Sequence, residues 1–156
     1  MGSKKPSTII EGLEEYLRKC PLLEKGAFRV DALSPKPVEY CIEVGIFDPV
    51  LAQYVNGDQL KQYQFNFCSR NFYGFDRIMN MQNSGFYERF AQWLKEQNWL
   101  GNLPKLPDYC EPDTIEATSS GYIFDGAGQN ARYQIACRLT YYEDARQAGD
   151  DTNSQP

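Results

Sequence analysis

Gln62-Tyr63-Gln64-Phe65-Asn66-Phe67-Cys68 alternates polar with aromatic residues. In an extended chain Tyr63, Phe65 and Phe67 therefore share one face, and Gln62, Gln64, Asn66 and Cys68 the other. This is the pattern of a half-buried strand. Read outward, it is the second arm of a hairpin: Leu51 to Val55, then Asn56-Gly57, then Asp58 to Ser69. A type I′ turn needs positive φ at both central residues, and Asn-Gly meets that need, so Asn56 and Gly57 are assigned to set the turn. The same period of two recurs in Arg132 to Tyr142, where Tyr133, Ile135, Cys137, Leu139 and Tyr141 share a face. It recurs again in Val38 to Ile46, where Val38, Tyr40, Ile42, Val44 and Ile46 do.

Two stretches change to helical period. Thr8 and Glu11 form a T-x-x-E capping box ahead of Ile9, Ile10, Leu13, Leu17 and Cys20, and Pro21 ends that helix. Ile78, Met79, Phe86, Phe90, Trp93 and Leu94 form the stripe of a main helix from Asp76 to about Asn98, with Asn83-Ser84-Gly85 as a kink or restart. Phe28 to Leu33 reads as a short strand before a Ser34-Pro35-Lys36-Pro37 turn. Residues 99–113, with Pro104, Pro107 and Pro112, read as an irregular loop long enough to be functional. Thr114 to Thr118 is a strand, with Gly121 to Phe124 continuing or returning from it. The predicted organisation is a polar leader over 1–7, one domain over 8–142, and a polar, disordered tail over 143–156. Helix, strands, helix, strands with hairpin connections predicts an α+β fold: an antiparallel sheet with helices packed on one face. The opposite face carries Glu39, Glu43, Gln62, Gln64, Asn66, Gln134 and Arg138, and is either solvated or a packing surface for another subunit.

The 156 residues contain no histidine, which excludes Ser-His-Asp and Cys-His pairs and HExxH zinc sites. Five cysteines at 20, 41, 68, 110 and 137 contain no CxxC pair for zinc or dithiol chemistry, and an odd, scattered set suggests a reducing compartment. No cofactor or metal site is expected. No apolar run exceeds three residues, Lys4-Lys5 precedes no secretory segment, and Pro6 stands where myristoylation needs Ser or Thr, so no membrane association is expected. Net charge is −5, with no basic excess to neutralise phosphates.

Each chemical motif meets a competing context. Gly126-Ala127-Gly128-Gln129-Asn130-Ala131 matches G-x-G-x-x-A, but a strand follows where the dinucleotide fingerprint needs a helix. Glu39 and Glu43 share a strand face, yet four residues at ~3.3 Å rise set them ~13 Å apart, beyond the ~5–9.5 Å of glycosidase carboxyl pairs. Cys110 is the thiol placed to react, although Asp108 and Glu111 would raise its pKa. Aromatics beside Arg70, Arg77 and Arg132 suggest a stacking platform for single-stranded nucleic acid, but the alternation turns Tyr63, Phe65 and Phe67 toward the helices.

Phe65-Asn66-Phe67-Cys68-Ser69-Arg70, Tyr73-Gly74-Phe75-Asp76, Asn83-Ser84-Gly85-Phe86-Tyr87-Glu88, Phe90 and Trp93-Leu94 together resemble the minor capsid or tail-terminator family of tailed bacteriophages. Gly121-Tyr122-Ile123-Phe124, Ala131-Arg132-Tyr133-Gln134-Ile135 and Cys137-Arg138-Leu139-Thr140-Tyr141 resemble the same family's closing strands, so the likeness spans about residues 8–142. It implies a tail-terminator-like fold without catalysis. It implies a ring, typically a hexamer, that caps the tail tube and meets the neck or head-completion protein, with phage DNA passing through the lumen unbound. The location implied is the virion, with assembly in the host cytoplasm. Another head-to-tail joining protein such as a neck stopper is the alternative, and a nucleic-acid-processing accessory protein a second. Structural roles are expected for Asn56, Gly57, Arg70, Tyr73, Gly74, Asp76, Asn83, Gly85 and Trp93, with an Arg70–Asp76 ion pair tying strand to helix. Assembly contacts are expected from Tyr54, Gln62, Gln64, Leu103, Pro107, Tyr109 and Arg132.

Overall fold

A computed structural model describes residues 5–23, 27–30, 39–72, 77–125 and 130–145, with side chains for all of these but 27–30, 39, 70–72, 77–84, 123–125 and 130–132. The elements are α1 (Ile9–Arg18), β1 (Ala27–Val30), β2 (Glu39–Val44), β3 (Val50–Gln53), β4 (Gln59–Phe72), α2 (Arg77–Leu100), β5 (Cys110–Ala117), β6 (Tyr122–Asp125) and β7 (Asn130–Glu143). The fold is α+β with both helices on one sheet face, as the alternation requires. At its centre β4 and β7, each 14 residues long, pair antiparallel from Gln59↔Glu143 to Phe72↔Asn130.

Each long strand is flanked by two short ones end to end. β2 and then β3 run along β4, while β5 and then β6 run along β7. Gly121 to Phe124 therefore continues the preceding strand and does not return from it. The excursion between the two pieces is held by Thr118 N–H donating to the Ala136 carbonyl (2.7 Å) and Ala136 N–H donating to Ser119 Oγ (3.0 Å). One pairing departs from the expected hairpin order. β1 lies parallel to β2, from Ala27↔Glu39 to Val30↔Ile42, so these strands are not joined as a hairpin.

The core forms where the apolar stripes meet. Leu13 and Leu17 of α1 and Tyr87, Phe90 and Leu94 of α2 pack on Ile42, Phe65, Phe67, Ile115, Ile135 and Leu139 of the sheet. Full burial of each such side chain contributes about 1.5–3 kcal/mol. Phe67 stacks on Phe90 with centroids 4.4 Å apart. Trp93, half-buried, rests on Tyr16 at 5.5 Å and Phe90 at 6.2 Å. Gly12 allows α1 to close on the 101–109 loop, since a Cβ there would stand 2.1 Å from the Lys105 carbonyl oxygen.

Several boundaries move. α2 runs as one continuous helix through Asn83 and Gly85, without a restart. β5 begins at Cys110, so the expected loop contracts to 101–109, and Pro104 and Leu106 from it are buried. Pro6 is buried and Lys5 pairs with Asp108 at 3.3 Å, so the body begins before residue 8. It also extends past 142, because β7 reaches Glu143, Lys61 pairs with Glu143 (3.3 Å), and Ala145 N–H donates to Asp58 Oδ1 (3.0 Å). Tyr73, Gly74, Asp76, the Ser34–Pro37 turn, the Gly126–Gly128 loop and the tail from 146 lie outside the described residues, as do the side chains of Arg70, Asn83 and Arg132.

Candidate assembly surfaces

The hairpin turn is built differently from a type I′ turn. Gly57 N–H donates to the Tyr54 carbonyl (2.9 Å) and Tyr54 N–H to the Asp58 carbonyl (2.8 Å). Val55 and Asn56 are thus the central residues, and Gly57 follows at φ +94°. This is the three-residue hairpin loop in which a left-handed residue follows the turn. Asn56 fastens it: its Oδ1 accepts from Asp58 N–H (3.1 Å) and its Nδ2 donates to Asp58 Oδ2 (3.0 Å). The hairpin leaves Leu51, Tyr54 and Val55 exposed, and the Tyr54 ring lies 6.4 Å from that of the exposed Tyr142.

A second exposed apolar site lies on the β5 side of the sheet. There the C-terminal turn of α2 presents Trp99 and Leu100 to solvent. The preceding residue, Asn98, turns inward: its Oδ1 accepts from Ile115 N–H (2.7 Å) and its Nδ2 donates to the Ile115 carbonyl. One side chain thus satisfies both backbone groups of a strand residue at the β5 edge.

The helix-free face is a cross-linked polar layer and not a simply wetted surface. Gln62, Gln134 and Thr140 are buried within it. Gln62 Nε2 donates to the Asp48 carbonyl (2.7 Å), and Gln64 Nε2 donates to Gln62 Oε1 (3.1 Å). Arg138 pairs with Glu116 at 2.6 Å, and its buried Nε has no hydrogen-bond acceptor among the described residues. At one corner the Cys41 and Cys68 sulfurs and the Glu43 carboxylate lie within 4.8 Å of one another.

The residues expected at contacts divide accordingly. Tyr54 and Gln64 are exposed, and Leu103 and Tyr109 are half-buried against the core. Gln62 and Pro107 are buried inside the chain, which removes them from any contact surface. Cys110 is likewise corrected: it is buried at the start of β5, and that burial, with Glu143 nearby, pushes its thiol up to about 11, far from a reactive thiolate. Trp99 and Leu100 fall in the 99–113 segment expected to be a functional loop, but they form the last turn of α2, and they were not singled out within that segment.

No helix among the described residues is long and apolar enough to cross a membrane. No protein-family model and no curated protein matches this chain.

Proposed function

We infer that this chain is a structural subunit of a phage tail: a ring protein that ends growth of the tail tube and joins it to the neck. The observation carrying the reading is the presence of two separate exposed apolar sites, the β3–β4 hairpin end with Leu51, Tyr54 and Val55, where Tyr54 meets Tyr142, and the Trp99-Leu100 helix end. Large apolar side chains left in water on a chain able to bury its aromatics mark contact surfaces. A closed cyclic ring uses heterologous contacts, two different patches on each subunit, and two distinct apolar sites supply such a pair. The resemblance over residues 8–142 supplies the rest: a hexamer, the tail tube on one side, the neck or head-completion protein on the other, and a place in the virion.

The charge suits such a ring. With net charge −5 the lumen wall would be neutral or negative and would not hold passing DNA through phosphate contacts. A lumen lined mainly by Lys and Arg would contradict this.

The test is electron microscopy of lysates from a phage carrying an early stop in this gene. Overlong, unjoined tails are the expected result. Tails of normal length beside unattached filled heads would assign a neck-joining role, and complete virions would remove the reading altogether. Filter binding across salt addresses the accessory-protein alternative, since a nucleic-acid binder loses affinity steeply as salt rises.

A further inference from the structure

We propose that Cys41, Cys68 and Glu43 form a binding site for a thiophilic divalent metal ion of the Zn2+ class on the helix-free face of the sheet. The β2–β4 register sets Cys41 directly opposite Cys68, and Glu43 follows two residues along β2 on the same face. Both sulfurs and a carboxylate oxygen come within 4.8 Å of one another. Tetrahedral coordination with metal–sulfur bonds of ~2.3 Å needs ligand atoms ~3.8 Å apart, so closure takes at most about an ångström of side-chain movement.

A fourth donor atom, an oxygen, stands beside them. Gln134 lies opposite Cys68 on β7, its Oε1 is 3.9 Å from the Cys68 sulfur, and its amide nitrogen donates to the Tyr122 hydroxyl, which orients that oxygen toward the thiol. Such outer hydrogen bonds fix ligand orientation at metal sites.

Ligand chemistry chooses the occupant. Two sulfurs select a soft or borderline ion over Mg2+ or Ca2+, and the carboxylate with an amide oxygen suits Zn2+. Both cysteines are fully buried while Glu43 is half-buried, so the carboxylate is the ligand nearest solvent and the point of entry. Binding replaces the thiol protons, each Cys–SH yielding a Cys–S–metal bond and a released proton. Bound metal would clamp β2 to β4 from the face opposite the helices.

The experiment uses the full chain, reduced and stripped with chelator, titrated with Cd2+ and then Zn2+. One equivalent of Cd2+ should raise thiolate-to-cadmium charge-transfer absorbance, and Zn2+ should displace it. Cys41→Ser or Cys68→Ser should abolish the band, while Cys110→Ser keeps it. Glu43→Gln should weaken binding by about tenfold or more, since even outer-shell substitutions cost that much. X-ray absorption at the metal edge of the unmutated protein should find two sulfur neighbours with oxygen completing the shell, a readout independent of whether the variants fold. No band in the unmutated protein, a band surviving in folded Cys41→Ser and Cys68→Ser chains, or a shell without two sulfurs overturns the proposal.

Discussion

Gly57 illustrates how a single residue carries a turn. Its φ of +94° lies where a side chain is strained, and a Cβ would also meet the Ala145 Cβ at 3.1 Å. Gly57→Val is expected to lower stability by about 1–2 kcal/mol from the backbone alone, read as a lower urea midpoint. Asn56-Gly57 was legible as a turn. Which residues would be central was not, because that depends on where Tyr54 and Asp58 pair. Cys110 leads to a pH prediction. Its thiol rises from 9.0 to about 11 on folding, first by burial and then by Glu143. The folded state therefore holds a proton that the unfolded state releases, so the contribution is complete below about pH 9 and lost as pH rises through about 11. Burial also raises Tyr16, Tyr141 and Cys137, in the same direction. Urea midpoints should be flat from pH 6 to 8 and fall from pH 9 to 11, and Cys110→Ala should shallow that fall.

At the scale of the element, the β5 edge depends on α2. Ile115 has its outward N–H and carbonyl satisfied by the Asn98 side chain. A strand edge without such cover is a template for pairing with other chains. Asn98→Leu is expected to destabilise the fold by about 1–3 kcal/mol through the two unpaired groups, and to increase aggregation measured by light scattering. At the other end of the chain, the Thr8–Glu11 box formed in part. Thr8 Oγ1 accepts from Glu11 N–H (3.2 Å), while the Glu11 carboxylate accepts from Ser7 N–H (3.3 Å) and the Ser7 hydroxyl (2.9 Å). Strands β4 and β7 were readable because their alternation faces one continuous core. The start of β5 was not: Pro107 and Pro112 gave it a loop's composition, whereas Cys110 and Ile115 supply the buried positions that make it an edge strand.

At the scale of the molecule, head-to-tail contact makes a distinctive prediction. Val55→Asp and Trp99→Asp should each prevent ring formation while leaving the chain folded, because both side chains are exposed. Mixing the two variants should restore a single contact, between the intact tip of one and the intact helix end of the other, and stop at a 1:1 dimer. Native mass spectrometry separates that result from two alternatives. Persisting rings in either single variant, or monomers alone in the mixture, would contradict the contact pair.

From the sequence alone came the α+β class, the inward set of both long strands, the two helices and the absence of imidazole chemistry. These follow from local periodicity and composition, which act over a few residues. The tertiary structure decided what depends on register between distant segments: the parallel placement of β1, the joining of β5 and β6 along β7, and the capping of Ile115 by Asn98. It also decided the meeting of Cys41 with Cys68 and Glu43. In sequence those cysteines are too far apart to suggest a shared site. A sheet register sets them opposite each other because hydrogen-bonded strands align residues by ladder position, whatever the length of chain between them.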